Sequence, residues 1–221
     1  MAYVVRVWDA PTRLFHWLLV ASVIALVITA EVGGAAMDWH FRLGYVVLAL
    51  LAFRLIWGFM GGRWSRFATF LYSPRQVLAY LQGRGAQEHL VGHNPMGALS
   101  VFALLTFLAL QVGSGLMSDD EIAAAGPLTR FVSGTWVSNA TFYHKEVGKL
   151  ILISLVLLHV LAIAFYFFKK RDNLVKPMIN GDKALEFPAE SANDSKVQRV
   201  KAAGIALVCA ALVGALLAWL N

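Results

Sequence analysis

Histidine is the residue whose placement in this chain asks for chemistry. The stretch Tyr143–Arg171 is apolar enough to lie inside a membrane, yet it carries His144 and His159. An ionisable side chain in hydrocarbon is costly and marks a functional site by default. Two more histidines sit at apolar runs, His16 near the start of the first and His40 at the start of the second. Successive runs cross a membrane in opposite directions, so depth sorts the four into two pairs: His16 with His159, and His40 with His144. His144 and His159 are fifteen residues apart. On a helix that is about 22 Å of rise and a net rotation of about 60°, so both project to broadly one side.

This spacing suits two iron porphyrins stacked across a bilayer, each held by two axial imidazoles from facing helices. Taken singly, each histidine has a plainer reading. His144 alone is a headgroup or water contact, and His159 alone is a proton relay or a hydrogen-bonded packing residue. Pairing by depth favours two bis-histidine haems. Haem propionates are anionic and want cations at the membrane edges. Arg54, about 21 Å deeper than His40 along its helix, and Arg13 are candidates at the His16/His159 level. Arg42, Lys145 and Lys149 are candidates at the other. The alternative is that these side chains snorkel to lipid phosphates, which suits the lysines equally well.

The elements that must position these residues are long apolar helices. Of 221 residues 59% are apolar and only 14% charged, whereas soluble domains carry about a quarter charged. Five runs, about 14–31, 41–60, 96–117, 143–168 and 202–220, each approach the roughly 20 residues that cross a bilayer. An all-α integral membrane protein follows, with four spans as the haem-binding core and a fifth, Ala- and Gly-rich C-terminal span. The alternating short segments of a β-barrel do not appear. Leu14–Ala30 is long for a signal-peptide core and reads as a retained anchor. A single cysteine, Cys209, excludes disulfides within the chain, Cys-ligated clusters and C-x-x-C-H haem attachment.

The net charge of +6 is explained by topology and not by nucleic acid. Segments 1–13, 62–94 and 169–201 hold two, four and eight Lys and Arg; segments 31–42 and 118–149 hold one and three. The positive-inside rule then puts the N-terminus in the cytoplasm and the C-terminus in the periplasm. Residues 1–171 form the expected di-haem domain, 172–200 a polar, partly ordered cytoplasmic linker, and 201–221 the added span. "SPRQVLAYLQGR" reads as an interfacial helix over about 74–83, with Ser73 as its cap, Pro74 in its first turn and Gly83 at its end. The segment from Asp119 to Ala140 reads as an outer loop, acidic at its start.

Several linked motifs, "WDAPTRLFHWLLV", "HFRLGYVVLALLAFRLIWGFMGGRWSRFATF", "GHNPMGALSV" and "LLHVLAIAFYFFKKRDNLVKPMINGDK", resemble the bacterial cytochrome b561 family over residues 4–183. That family is related to the b-type cytochrome subunits of nickel–iron hydrogenases and formate dehydrogenases. The resemblance implies a four-helix core with two b haems whose axial ligands map to His16, His40, His144 and His159. In one respect the chain departs from the pattern. The family spacing on the fourth span is one residue shorter, which puts Lys145 at the ligand position; His144 keeps the role if the helix bulges locally.

The resemblance further implies an inner-membrane protein passing electrons between the quinone pool and a redox partner. That partner is a periplasmic c-type cytochrome or a hydrogenase-like enzyme. His93 and Asn94 could bind a quinone carbonyl or move its proton; alternatively Asn94–Pro95 only starts a helix. His89 reads as solvated in a polar loop. Two other functions compete. One is a stand-alone quinone oxidoreductase acting on a small molecule such as superoxide, drawn by Arg42, Lys145 and Lys149. The other is a haem-free membrane anchor or proton-coupled transporter.

Overall fold

A computed structural model describes residues 2–121 and 124–220; Ile122 and Ala123, in the acidic loop, and the two terminal residues lie outside them. Its elements are β1 (Tyr3–Arg6), α1 (Ala10–Val32), α2 (Met37–Met60), α3 (Pro74–Leu81), α4 (Pro95–Leu116), α5 (Gly134–Phe142), a π-helical turn (Tyr143–Gly148), α6 (Lys149–Phe168), α7 (Val175–Asn180), β2 (Asp182–Leu185) and α8 (Lys196–Leu220). Among the described residues five helices are long and apolar enough to cross a membrane: Ala10–Val32, Gly34–Met60, Pro95–Leu116, Gly134–Phe168 and Lys196–Leu220. Large apolar side chains such as Leu150, Leu157, Leu158, Leu161 and Phe168 stand exposed along them. Such a surface needs hydrocarbon, not water, as its solvent.

The fourth span is longer than the sequence suggests. Its hydropathy rises only at Tyr143, but the helix starts at Gly134, where the Ser133 hydroxyl accepts a hydrogen bond from the Trp136 N–H. Polar residues in that first stretch hid the helix from a hydropathy reading. The first and last spans likewise begin earlier than the apolar runs, at Ala10 and Lys196.

The described chain folds into two compact units. The first comprises residues up to His16, Arg54–Ala103 and Leu157–Ile205; the second comprises Trp17–Phe53, Leu104–Val156 and the chain from Ala206 onward. In the second unit four helices meet on a core of Val47, Leu51, Leu108 and Val112, with Leu19, Val23, Leu26 and Leu152 packed against it. Trp219 of α8 stacks on Phe131 at 6.0 Å.

The first unit holds a small polar-rimmed core where a linker was expected over 172–200. β1 and β2 pair antiparallel, Tyr3 opposite Leu185 and Arg6 opposite Asp182. Val5, Val7, Trp8, Trp64, Val91, Leu185 and Ala192 bury one another. Asp194, 6% exposed, receives Arg6 at 2.6 Å, Arg199 at 2.9 Å and the Ala10 N–H at 2.9 Å. Burial alone would raise its pKa, but the hydrogen bonds from Arg199, the Ala10 N–H and Arg6 outweigh it and hold the carboxyl below its ordinary value. The segment is polar because its ordering comes from strand pairing and ion pairs; its few apolar residues are too scattered to show a period. α3 behaves as read: Ser73 and Gln76 form a reciprocal cap, Pro74 opens the helix, and Gly83 follows with a φ of 77°.

Candidate functional site

Each unit brings one pair of histidines together. In the first, His16 of α1 and His159 of α6 have ring centroids 6.5 Å apart. In the second, His40 of α2 and His144 of the π-turn are 6.1 Å apart with perpendicular rings. Two imidazoles that each place a nitrogen about 2 Å from one metal ion have centroids about 6 Å apart. Both pairs fit a metal between them. Among the described residues no three His, Cys, Asp or Glu side chains come together to hold an ion. Two facing imidazoles therefore match a ligand that brings its own equatorial donors, as a porphyrin does. Beside His40, one turn along α2, Gly44 has open space where a side chain would stand.

The second pair is oriented by backbone. His40 Nδ1 lies 3.0 Å from the Leu26 carbonyl and 3.3 Å from the Thr29 hydroxyl. His144 Nδ1 lies 2.9 Å from the Gln111 carbonyl, with the Ser114 hydroxyl at 3.4 Å. A carbonyl only accepts, so each Nδ1 carries the proton and each Nε2 keeps its lone pair for a metal. The π-turn Tyr143–Gly148 answers the spacing question on the fourth span. A π-turn absorbs one extra residue, so His144 takes the inward face and Lys145 is exposed.

The unit that holds the first pair also holds a buried arginine and a buried aspartate. Arg54 is 3% exposed, with its guanidinium 4.6 Å over the Phe67 ring and its Nη1 buried without a hydrogen-bond partner. Asp9, wholly buried, acts on it electrostatically. The Asp9 carboxylate also accepts from the Thr12 N–H at 2.8 Å, capping the helix that carries His16, and from the Gly62 N–H at 2.7 Å. Trp57 Nε1 stands 3.3 Å from both its oxygens. Asp9 is not singled out by the sequence reading, although an Asp two residues before Pro11 and three before Thr12 is a helix-start signal.

Of the other candidates, Arg13 is engaged by the Ile179 carbonyl at 2.5 Å and Asp194 at 3.8 Å. Lys149 pairs with Glu31 at 3.4 Å, and Arg42 lies over the Trp39 ring at 5.2 Å. His93 packs between Phe70 (4.4 Å) and Trp8 (4.7 Å), its Nδ1 enclosed and unpartnered. Burial first, then the Arg54 charge and His159, push its pKa down to about 3, so the ring is neutral. Asn94 caps α4: its Oδ1 accepts from the Gly97 N–H at 2.8 Å, while its Nδ2 donates to the Tyr166 hydroxyl at 2.8 Å. Tyr166 and Tyr80 hydroxyls are 2.6 Å apart. His89 stacks edge-on to Tyr72 and Tyr80 and is held below its ordinary pKa by burial.

Comparison with known proteins identifies the family. The family profile of prokaryotic cytochrome b561 matches residues 7–181. A probable Ni/Fe-hydrogenase B-type cytochrome subunit of Bradyrhizobium diazoefficiens is 26% identical, covering 81% of this chain and 85% of that protein. The probable Ni/Fe-hydrogenase 1 B-type cytochrome subunit of Escherichia coli K12 is 25% identical, covering 82% and 91%. No solved structure matches significantly. With the profile spanning most of the chain, and facing imidazoles on its long apolar helices, the protein belongs to the prokaryotic cytochrome b561 family and is a membrane electron-transfer cytochrome of b type.

Proposed function

We propose that the chain binds two b haems and moves electrons between the quinone pool and a periplasmic redox partner. The partner is a hydrogenase-like enzyme or a c-type cytochrome. The observation that carries the reading is the pair of imidazole pairs, each spaced for one iron. His16 and His159 would hold one haem and His40 and His144 the other. Bound haem supplies one-electron chemistry; the residues hold, orient and screen it. Relatives named as Ni/Fe-hydrogenase B-type cytochrome subunits support the choice of an enzyme partner.

Arg54 is the favoured propionate partner, since it is buried with an unused donor and in no ion pair among the described residues, whereas Arg13 pairs with Asp194 and Lys149 with Glu31. Exposed Lys145 and Arg42 remain available at the other pair. The bias of Lys and Arg towards segments 1–13, 62–94 and 169–201 supports an inner-membrane orientation with the N-terminus cytoplasmic and the C-terminus periplasmic. A quinone near His93 and Asn94 would meet an amide already bonded at both ends, one of them the Tyr166 hydroxyl that continues to Tyr80.

Haem content of the purified protein and of four His→Ala variants tests the reading. Two haems per chain are expected, with one lost in each variant. A His144→Ala protein that keeps both with unchanged spectra would overturn the assignment. For the quinone site, Asn94→Ala should slow quinone-linked electron transfer at constant haem content, and unaltered turnover would remove that part.

A further inference from the structure

The π-turn needs something to hold it. Widening one turn from i→i+4 to i→i+5 bonding weakens the backbone ladder, and a buried carbonyl still requires a partner. Here the His144 carbonyl receives a hydrogen bond from Gln111 Nε2 at 2.9 Å, while His144 Nδ1 donates to the Gln111 carbonyl at 2.9 Å. Gln111 thus grips the backbone and the ring of the same residue.

Two glycines make room for this grip. A Cβ on Gly148 would run into Gln111 Oε1, and a Cβ on Gly115 would stand 2.7 Å from His144 Cε1. Both glycines are on helices, where the residue otherwise weakens the element. Close approach to Gln111 and His144 is what they provide.

We infer that Gln111 is a positioning residue that fixes the register of the fourth span by stabilising the π-turn, and so decides that His144, not Lys145, faces His40. The inference rests on the di-haem reading above. If the turn anneals to ordinary α-helix, the segment on the far side of it rotates by one residue, about 100°. Lys145 then takes the inward face. A flexible four-carbon amine is a poor substitute for an imidazole lone pair held in place.

Three full-length variants in detergent test this, with His144→Ala as the reference that marks which signal belongs to the His40/His144 haem. Gln111→Leu removes both side-chain polar atoms and leaves the backbone carbonyl that holds the His144 ring; Gln111→Glu keeps the shape and removes the N–H donor. Readouts are haem per chain, the rate of haem transfer to apomyoglobin, and the low-temperature electron paramagnetic resonance spectrum of the ferric protein. Partners of metal-bound histidines typically carry about 10–100-fold in affinity. Haem transfer from the His40/His144 pair should accelerate by about that factor, and its resonance should shift while the His16/His159 signal stays.

The third variant, Gln111→Leu with Lys145→His, should recover the haem that Gln111→Leu loses, because a histidine then occupies the α-register position. A merely structural role for Gln111 gives no such rescue. Transfer rate and resonance equal to wild type in Gln111→Leu would overturn the inference. Should that variant also lose the His16/His159 signal, Gln111→Glu decides alone, by the same criteria. A wild type with fewer than two haems, or a His144→Ala protein that keeps both, instead overturns the di-haem reading.

Discussion

The two histidine pairs are made of the same side chain at almost the same separation, yet the protein holds them by different means. His40 and His144 are steered by backbone carbonyls, from Leu26 and Gln111. His16 and His159 lie in the unit that contains a buried arginine and a buried aspartate. Carbonyl partners fix ring orientation and raise imidazole basicity. A buried cation instead sets the local potential, strongly because the surroundings are poorly polarisable. On the proposed di-haem reading, one pair would be tuned through its ligands and the other through its surroundings.

Removing Asp9 should break the first pair most severely. Asp9→Ala removes the carboxylate that acts on buried Arg54 and uncaps α1, the cap alone costing about 0.5–2 kcal/mol. The His16/His159 haem should be lost first, seen as one haem per chain with the other spectrum intact. Equal loss of both would deny that the pairs are held independently. Gly115→Val attacks the other pair, because its side chain must displace the His144 ring. About 10–100-fold weaker haem retention at that pair alone is expected, and unchanged retention would show that the ring is not confined there.

Arg54→Gln should lower the midpoint potential of the His16/His159 haem by tens of millivolts, since a nearby cation favours the reduced state. The other haem serves as the internal control in the same redox titration. A shift in both, or in neither, would remove the electrostatic contrast. The smallest effect concerns His93. Its folded-state pKa is depressed to about 3, so the unfolded chain takes up the proton first. The neutral ring's contribution is fully present above about pH 6.5 and fades as pH falls towards 3. Unfolding midpoints of His93→Phe should therefore depend less steeply on pH across that window than those of wild type, and equal slopes would show a solvated ring.

Much of this is legible in the sequence. The spans show because each is a long apolar run, and the four histidines stand out because hydrocarbon makes polarity conspicuous. The helix from Gly134 to Phe142 did not show, because its residues are mixed and it joins a span already long enough. The folded segment around β2 and Asp194 was hidden for a related reason. Strand pairing with Tyr3–Arg6 is a contact between residues more than 170 positions apart, and no local period records it. Gln111 could have been flagged as an amide inside a span, but its partner could not have been named.

The sequence by itself determined which histidines lie on the long apolar helices and that they pair by depth, His16 with His159 and His40 with His144, since hydropathy and helical rise are local properties. Only the tertiary structure decided the register. Whether His144 or Lys145 faces His40 depends on a single π-turn, and that turn exists because Gln111 on another helix, with Gly115 and Gly148 beside it, is close enough to hold the His144 carbonyl.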